Sequence, residues 1–194
     1  MNIEPLETRI APATLVNPTT LTYTDIDGDK VTVRTSAGAF VFTNPPSGTE
    51  FTDTFVFTPP NAIDGQQLDF IDLRQGSGFQ GADLTVSVVR AGGGDGLAAV
   101  GLIFAPGIDL GKVTVKGDLG EIDCGDDDTT TPGLESLSVR SLGRYGDSTD
   151  SLNPGVTSTI RGALGTLRIA EDIKDATILV IADTNADATI GSIT

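Results

Sequence analysis

Histidine and tryptophan are absent from the 194 residues, and cysteine occurs once, at Cys124. Without histidine there is no Ser-His-Asp or Cys-His nucleophile system, and the usual zinc and iron ligand sets cannot be assembled. A single thiol excludes an internal disulfide and a thiolate metal cluster. Cys124 is expected to pack as a small buried hydrophobe or to sit unreactive at a turn. Basic residues are scarce, 12 against 27 acidic ones, for a net charge of −15. Such a surface repels nucleic acid and anionic membranes and suits a crowded or salty exterior. No run of about 18 apolar residues occurs, so no membrane-inserting helix is expected. The first 20 residues also lack the basic start and apolar stretch of a classical secretory signal. Ala91–Gly96, "AGGGDG", is not followed by the Gly-Lys-Ser/Thr of a phosphate loop.

Glycine (24) and proline (10) are plentiful, aromatics are only 5%, and Thr, Val, Ile and Gly dominate the patterned stretches. This composition favours strands over helices. Residues 1–18 carry three prolines without a sustained period and read as an extended leader. From Leu21 the pattern is β. "LTYTDIDGDKVTVRTS" alternates on both sides of Asp27-Gly28, a dipeptide that favours a two-residue hairpin turn. "AFVFT", "TFVFT", "LDFIDL" and "LTVSVV" follow, separated by Pro and Gly punctuation. "LAAVGLIFA" is a continuous apolar run, the pattern of a strand buried on both faces. No stretch has a convincing helical period.

An apolar-Gly-x-apolar word recurs in the second half. Aligned on glycine it gives Gly120, Gly143, Gly165 and Gly191, spaced by 23, 22 and 26. A parallel apolar column, Val115, Val139, Ile160 and Ile181, is spaced by 24, 21 and 21. A coil of stacked strands explains two columns at one period, because inward positions must be apolar in every turn. Glycine at each corner would take positive φ without a Cβ penalty, which assigns the four glycines as corner residues. The expected fold is all-β: a β-rich N-terminal region over 19–105, as a cap, as irregular coils or as a small β-sandwich, then a right-handed parallel β-helix over 106–194. A leucine-rich repeat is the structural rival, since "LESLSV" and "LGTLRI" fit its phrase. It lacks the following Asn or Cys, and helix formers are scarce.

The segment "EPLETRIAPA" resembles the LEPR-type N-terminal motif of very large bacterial surface and repeat proteins. Glu4, Leu6, Glu7, Arg9 and Ala11-Pro12-Ala13 match, whereas Thr8 stands where that family usually has proline. The repeat region is similar to the glycine-punctuated β-helical repeats of such proteins. The resemblance implies an extracellular or cell-surface location and a non-enzymatic scaffold, adhesin-like or stalk-like, within a larger protein. The closing "ATIGSIT" breaks off in mid-word, which leads us to expect either further turns or an edge covered by something else. Self-association through that edge, or other surface proteins, are the partners this implies.

Chemistry is thinly signalled. Lys116, Arg140 and Arg161 each follow an inward apolar residue and are expected to stack outward as a basic ladder, beside a hydroxyl ladder of Thr114, Ser138 and Thr159. Such a stripe suits an acidic polysaccharide. A polysaccharide-binding or polysaccharide-cleaving β-helix is therefore the alternative to the scaffold, although no catalytic residue is assigned. Asp118, Glu121 and Asp123 are the only acids near a repeat core position that could act as a general acid-base pair. In "DIDGDK", Asp25, Asp27 and Asp29 alternate as calcium-binding loops do, without the closing Glu of a complete EF-hand. A charged hairpin turn is the simpler reading of that stretch, and no cofactor is required.

Overall fold

A computed structural model describes residues 13–43, 52–58, 65–128, 130–145, 157–182 and 188–194. Among these residues the chain is all-β, with thirteen strands and one short 3-10 turn, Leu73–Gln75. The strands join in a single hydrogen-bonded sheet that does not close on itself.

The first strands are antiparallel. β1 (Thr14–Asn17), β2 (Thr20–Thr24) and β3 (Lys30–Thr35) form a meander. Alternation drives it: Leu21, Tyr23, Val31 and Val33 are buried, and the residues between them face outward or lie at the margin. The β2–β3 connection is not the two-residue turn that Asp27-Gly28 suggests. Strand pairing ends at Thr24↔Lys30, so five residues, 25–29, make the loop, with Gly28 at φ +97°. β4 (Phe55–Thr58) pairs antiparallel with β5 (Gln67–Asp72). Aromatic residues concentrate here. Tyr23 meets Phe57 edge-on at 4.9 Å, and Phe40 meets Phe55 at 4.8 Å.

The pairing then turns parallel. β6 (Ala82–Val89) is antiparallel to β3 on one side and parallel to β8 (Leu110–Gly125) on the other. β5 makes the same switch, lying antiparallel to β4 and parallel to β7 (Val100–Pro106). β9 (Leu134–Leu142), β10 (Thr157–Arg161), β11 (Leu164–Ile169), β12 (Thr177–Ile181) and β13 (Ile190–Ile193) follow. They lie in two parallel stacks. The first half of β8 sits between β6 and β9, and β11 and β13 extend that stack. Its second half sits between β7 and β10, and β12 extends the other.

Equivalent residues lie directly over one another. In the first stack Leu110, Leu134, Leu164 and Ile190 form one column, and Val86, Val115, Val139 and Ile169 another. In the second, Ala105, Cys124, Ile160 and Val180 do the same. Such columns fill the interior with aliphatic side chains, and Cys124 is buried among them. Burial pushes its thiol well above the ordinary range, as the nearby Asp123 and Asp109 also do.

This register corrects the two sequence columns. Val115 and Val139 belong to the first stack, whereas Ile160 belongs to the second and Ile181 pairs with Arg161. The glycine column divides in the same way. Gly165 and Gly191 lie inside strands of the first stack, Gly120 inside the second half of β8, and none of the three has positive φ. Glycine is needed there because a Cβ would strike the carbonyl oxygen of the neighbouring pass: Gly101 for Gly120, Glu135 for Gly165, Gly165 for Gly191. Only Gly143, at φ +70° just after β9, is a corner glycine as expected.

Candidate functional site

Between the two stacks runs a short row of corners, Val100, Leu119, Leu142 and the isolated bridge to Ile173. The β2–β3 loop folds towards this row, and the contact is organised by Asp29. Asp29 is fully buried, and its two carboxylate oxygens accept hydrogen bonds from the backbone N–H groups of Ala91 (2.6 Å) and Gly96 (2.5 Å). Asp27 accepts from Asp95 N–H at 2.9 Å. The glycine-rich stretch 91–96 therefore exists to wrap a carboxylate. A Cβ at Gly94 would fall on the Asp29 side chain.

Asp25, Asp27 and Asp29 are brought together as the sequence suggests, each offering an oxygen within 4.8 Å of the others. Asp25 Oδ1 accepts from Asp29 N–H at 2.7 Å. Burial pushes the Asp25 carboxyl up to about 8, and its hydrogen bond to Asp27 acts in the same direction. Asp27 is held below the ordinary carboxylate range because it accepts that bond. The pair thus holds one proton between two carboxylates. A calcium ion would draw on the same three side chains, but calcium takes six to eight oxygens, and both Asp29 oxygens already serve the 91–96 backbone.

A cavity of about 330 Å³ opens beside this loop. Asp25, Asp27 and Asp95 form one wall, and Leu97, Ala98 and Ala99 supply an apolar strip. Arg140, Arg144 and Tyr145 stand at the other side. Asp118, buried, fixes that side by accepting from Ser141 Oγ (2.5 Å), Arg144 N–H (3.2 Å) and Tyr145 N–H (3.3 Å). Arg140 pairs with Glu171 at 2.7 Å, and Arg144 reaches Glu171 at 3.3 Å and Asp172 at 3.8 Å. The Arg144 guanidinium lies 5.9 Å from the Tyr145 ring centroid. Carboxylate acceptors, guanidinium donors and an aromatic ring thus share one concave surface, the composition of a small-molecule site.

The basic ladder is not assembled. Lys116 donates to Val88 C=O at 3.0 Å and Arg140 is paired with Glu171, while Arg161 belongs to the other stack and faces Asp127 at 3.7 Å. The hydroxyl ladder divides likewise: Thr114 lies over Ser138, but Thr159 pairs with Asp123 and Leu179. Asp118 and Asp123 also separate, the first to the corner row and the second to the second stack, where burial raises its carboxyl against the pull of Arg161 and Arg74. Asp95, Arg144 and Tyr145 were not singled out by sequence. Asp95 could have been found from its glycine-rich surroundings, whereas nothing in the chain marks Arg144 or Tyr145. Comparison of the chain with protein-family models, curated proteins and solved structures finds no match.

Proposed function

We propose that the chain is a non-enzymatic structural module, a parallel β-helix that acts as a scaffold or stalk segment of a secreted or cell-surface protein. The observation that supports this reading best is the strand register. Leu110, Leu134, Leu164 and Ile190 repeat one apolar position through four stacked strands, each strand hydrogen-bonded to the next. A surface location is in keeping with the acidic charge and with the LEPR-like residues Glu4–Ala13, of which all but Ala13 lie outside the described residues. The test is to blot fractionated source cells with an antibody raised against residues 106–194. The expected result is a band in the envelope or the medium, and a band confined to the cytosol overturns the reading.

A further inference from the structure

The corner cavity is not needed to hold up a ladder of strands, and its chemistry is specific. On the hairpin side, Asp27 and Asp95 are exposed hydrogen-bond acceptors. On the opposite side Arg140 and Arg144 each use part of a five-donor guanidinium on Glu171, which leaves further N–H groups for a ligand. Tyr145 keeps 46% of its surface exposed at the rim. Leu97, Ala98 and Ala99 add an apolar part to the lining.

Charge narrows the ligand. An anion would meet Asp27 and Asp95, and a cation would meet the two guanidinium groups. A ligand rich in both donors and acceptors, without net charge and with one apolar face, satisfies both sides and the ring together. That is the chemistry of a pyranose, whose vicinal hydroxyls match planar carboxylate and guanidinium groups and whose C–H face lies on an aromatic ring. The volume, about 330 Å³, lies within the range of about 300–1,000 Å³ usual for small-molecule sites.

We propose that the cavity bounded by Asp27, Asp95, Leu97, Arg140, Arg144 and Tyr145 binds a neutral sugar unit. This goes beyond the scaffold reading and stands whatever the location of the protein. The site is built from the corners of successive passes, so the register of the fold sets its shape. It differs from the acidic-polysaccharide stripe that the sequence suggests, in both place and charge preference.

The full chain, labelled with nitrogen-15, would be titrated with the methyl glycosides of glucose, galactose and mannose. Glucosamine, galacturonate and calcium serve as cationic, anionic and metal controls. At least one neutral glycoside is expected to shift the backbone amides of Asp27, Leu97 and Arg144, with a dissociation constant of about 1 mM or tighter. Tyr145→Ala and Asp95→Asn are each expected to weaken that binding about tenfold. Both side chains are exposed, and the melting temperature of each variant, read alongside, separates lost binding from a lost fold. Tyr145→Phe, which keeps the ring, should bind nearly as wild type. The proposal fails if no neutral glycoside moves these amides, or if only a charged control or calcium does. It fails equally if both Tyr145→Ala and Asp95→Asn bind like wild type.

Discussion

Asp29 ties two segments more than sixty residues apart, and it does so from full burial with two backbone N–H groups on its carboxylate. Asp29→Asn replaces one acceptor oxygen by a donor, leaving one of those N–H groups facing another donor. The expected loss is about 3 kcal/mol, measured by urea unfolding, because buried hydrogen bonds to a charged group are worth about 1.5–3 kcal/mol and the orphaned group adds its own penalty. Exposed Asp27→Asn should cost about 1 kcal/mol or less. The neighbouring Asp25 sets a pH dependence. Its carboxyl rises from 3.8 to about 8 on folding, so between those values the native state binds a proton that the unfolded chain has released. The stability that this proton contributes is complete below about pH 4 and is lost as pH rises through about 8. Asp27, held low, acts with the opposite sign and only at the acidic end, where its contribution is lost as pH falls through its native value. Asp25→Asn, which stays neutral, should therefore gain on wild type from about pH 4 to about pH 8 and then run parallel to it. A constant difference across that range would refute the shared proton.

Individual strands are most constrained where both neighbours are present. Leu134 lies between Leu110 and Leu164 and is fully buried, while Ile190, in the same column, has a partner on one side only among the described residues and is 42% exposed. Leu134→Ala should cost about 3 kcal/mol in denaturant unfolding, as buried leucine truncations do, and Ile190→Ala about 1 kcal/mol or less. Equal costs would mean that β13 is covered. The strands themselves were legible in the sequence, because β-branched alternation and Gly-Pro punctuation act locally. The assignment of each strand to a stack was not. Each pass contributes two apolar-x-apolar strands, so Val139 and Ile160 look like successive copies of one position when they occupy different stacks. Gly120 and Gly165 likewise resemble corner residues, although close approach of the preceding pass is what excludes a Cβ. The acidic triplet was readable because its members are adjacent in sequence. The cavity was not, since residues from 25 to 145 meet there only after the register is set.

At the scale of the molecule, the two ends of the sheet differ. The N-terminal end is an antiparallel meander, whereas β12 and β13, which among the described residues have a neighbour on one side only, present Leu179 and Ile193, 47% and 65% exposed. Such an edge favours pairing with another chain, while a net charge of −15 opposes it. Raising salt from about 0.02 M to about 1 M shortens the range of that repulsion to about 3 Å and should increase self-association in sedimentation runs. Leu179→Lys combined with Ile193→Lys should suppress the increase. A monomer at both salt concentrations would rule out an adhesive edge.

The switch from antiparallel to parallel pairing at β5 and β6 also bears on how the chain is made. The β2–β3 hairpin closes over five residues, so it can form as soon as it is synthesised. Leu110, Leu134, Leu164 and Ile190 then follow at intervals of 24, 30 and 26 residues, and from Leu134 on each lands on a strand of the preceding pass. At about 5–20 residues per second, a ribosome delivers each new pass roughly one to six seconds after its template. From β9 onward every pass finds its template already translated, whereas the hairpin's Asp29 waits for residues 91–96, β5 waits for β7 and β7 for β8.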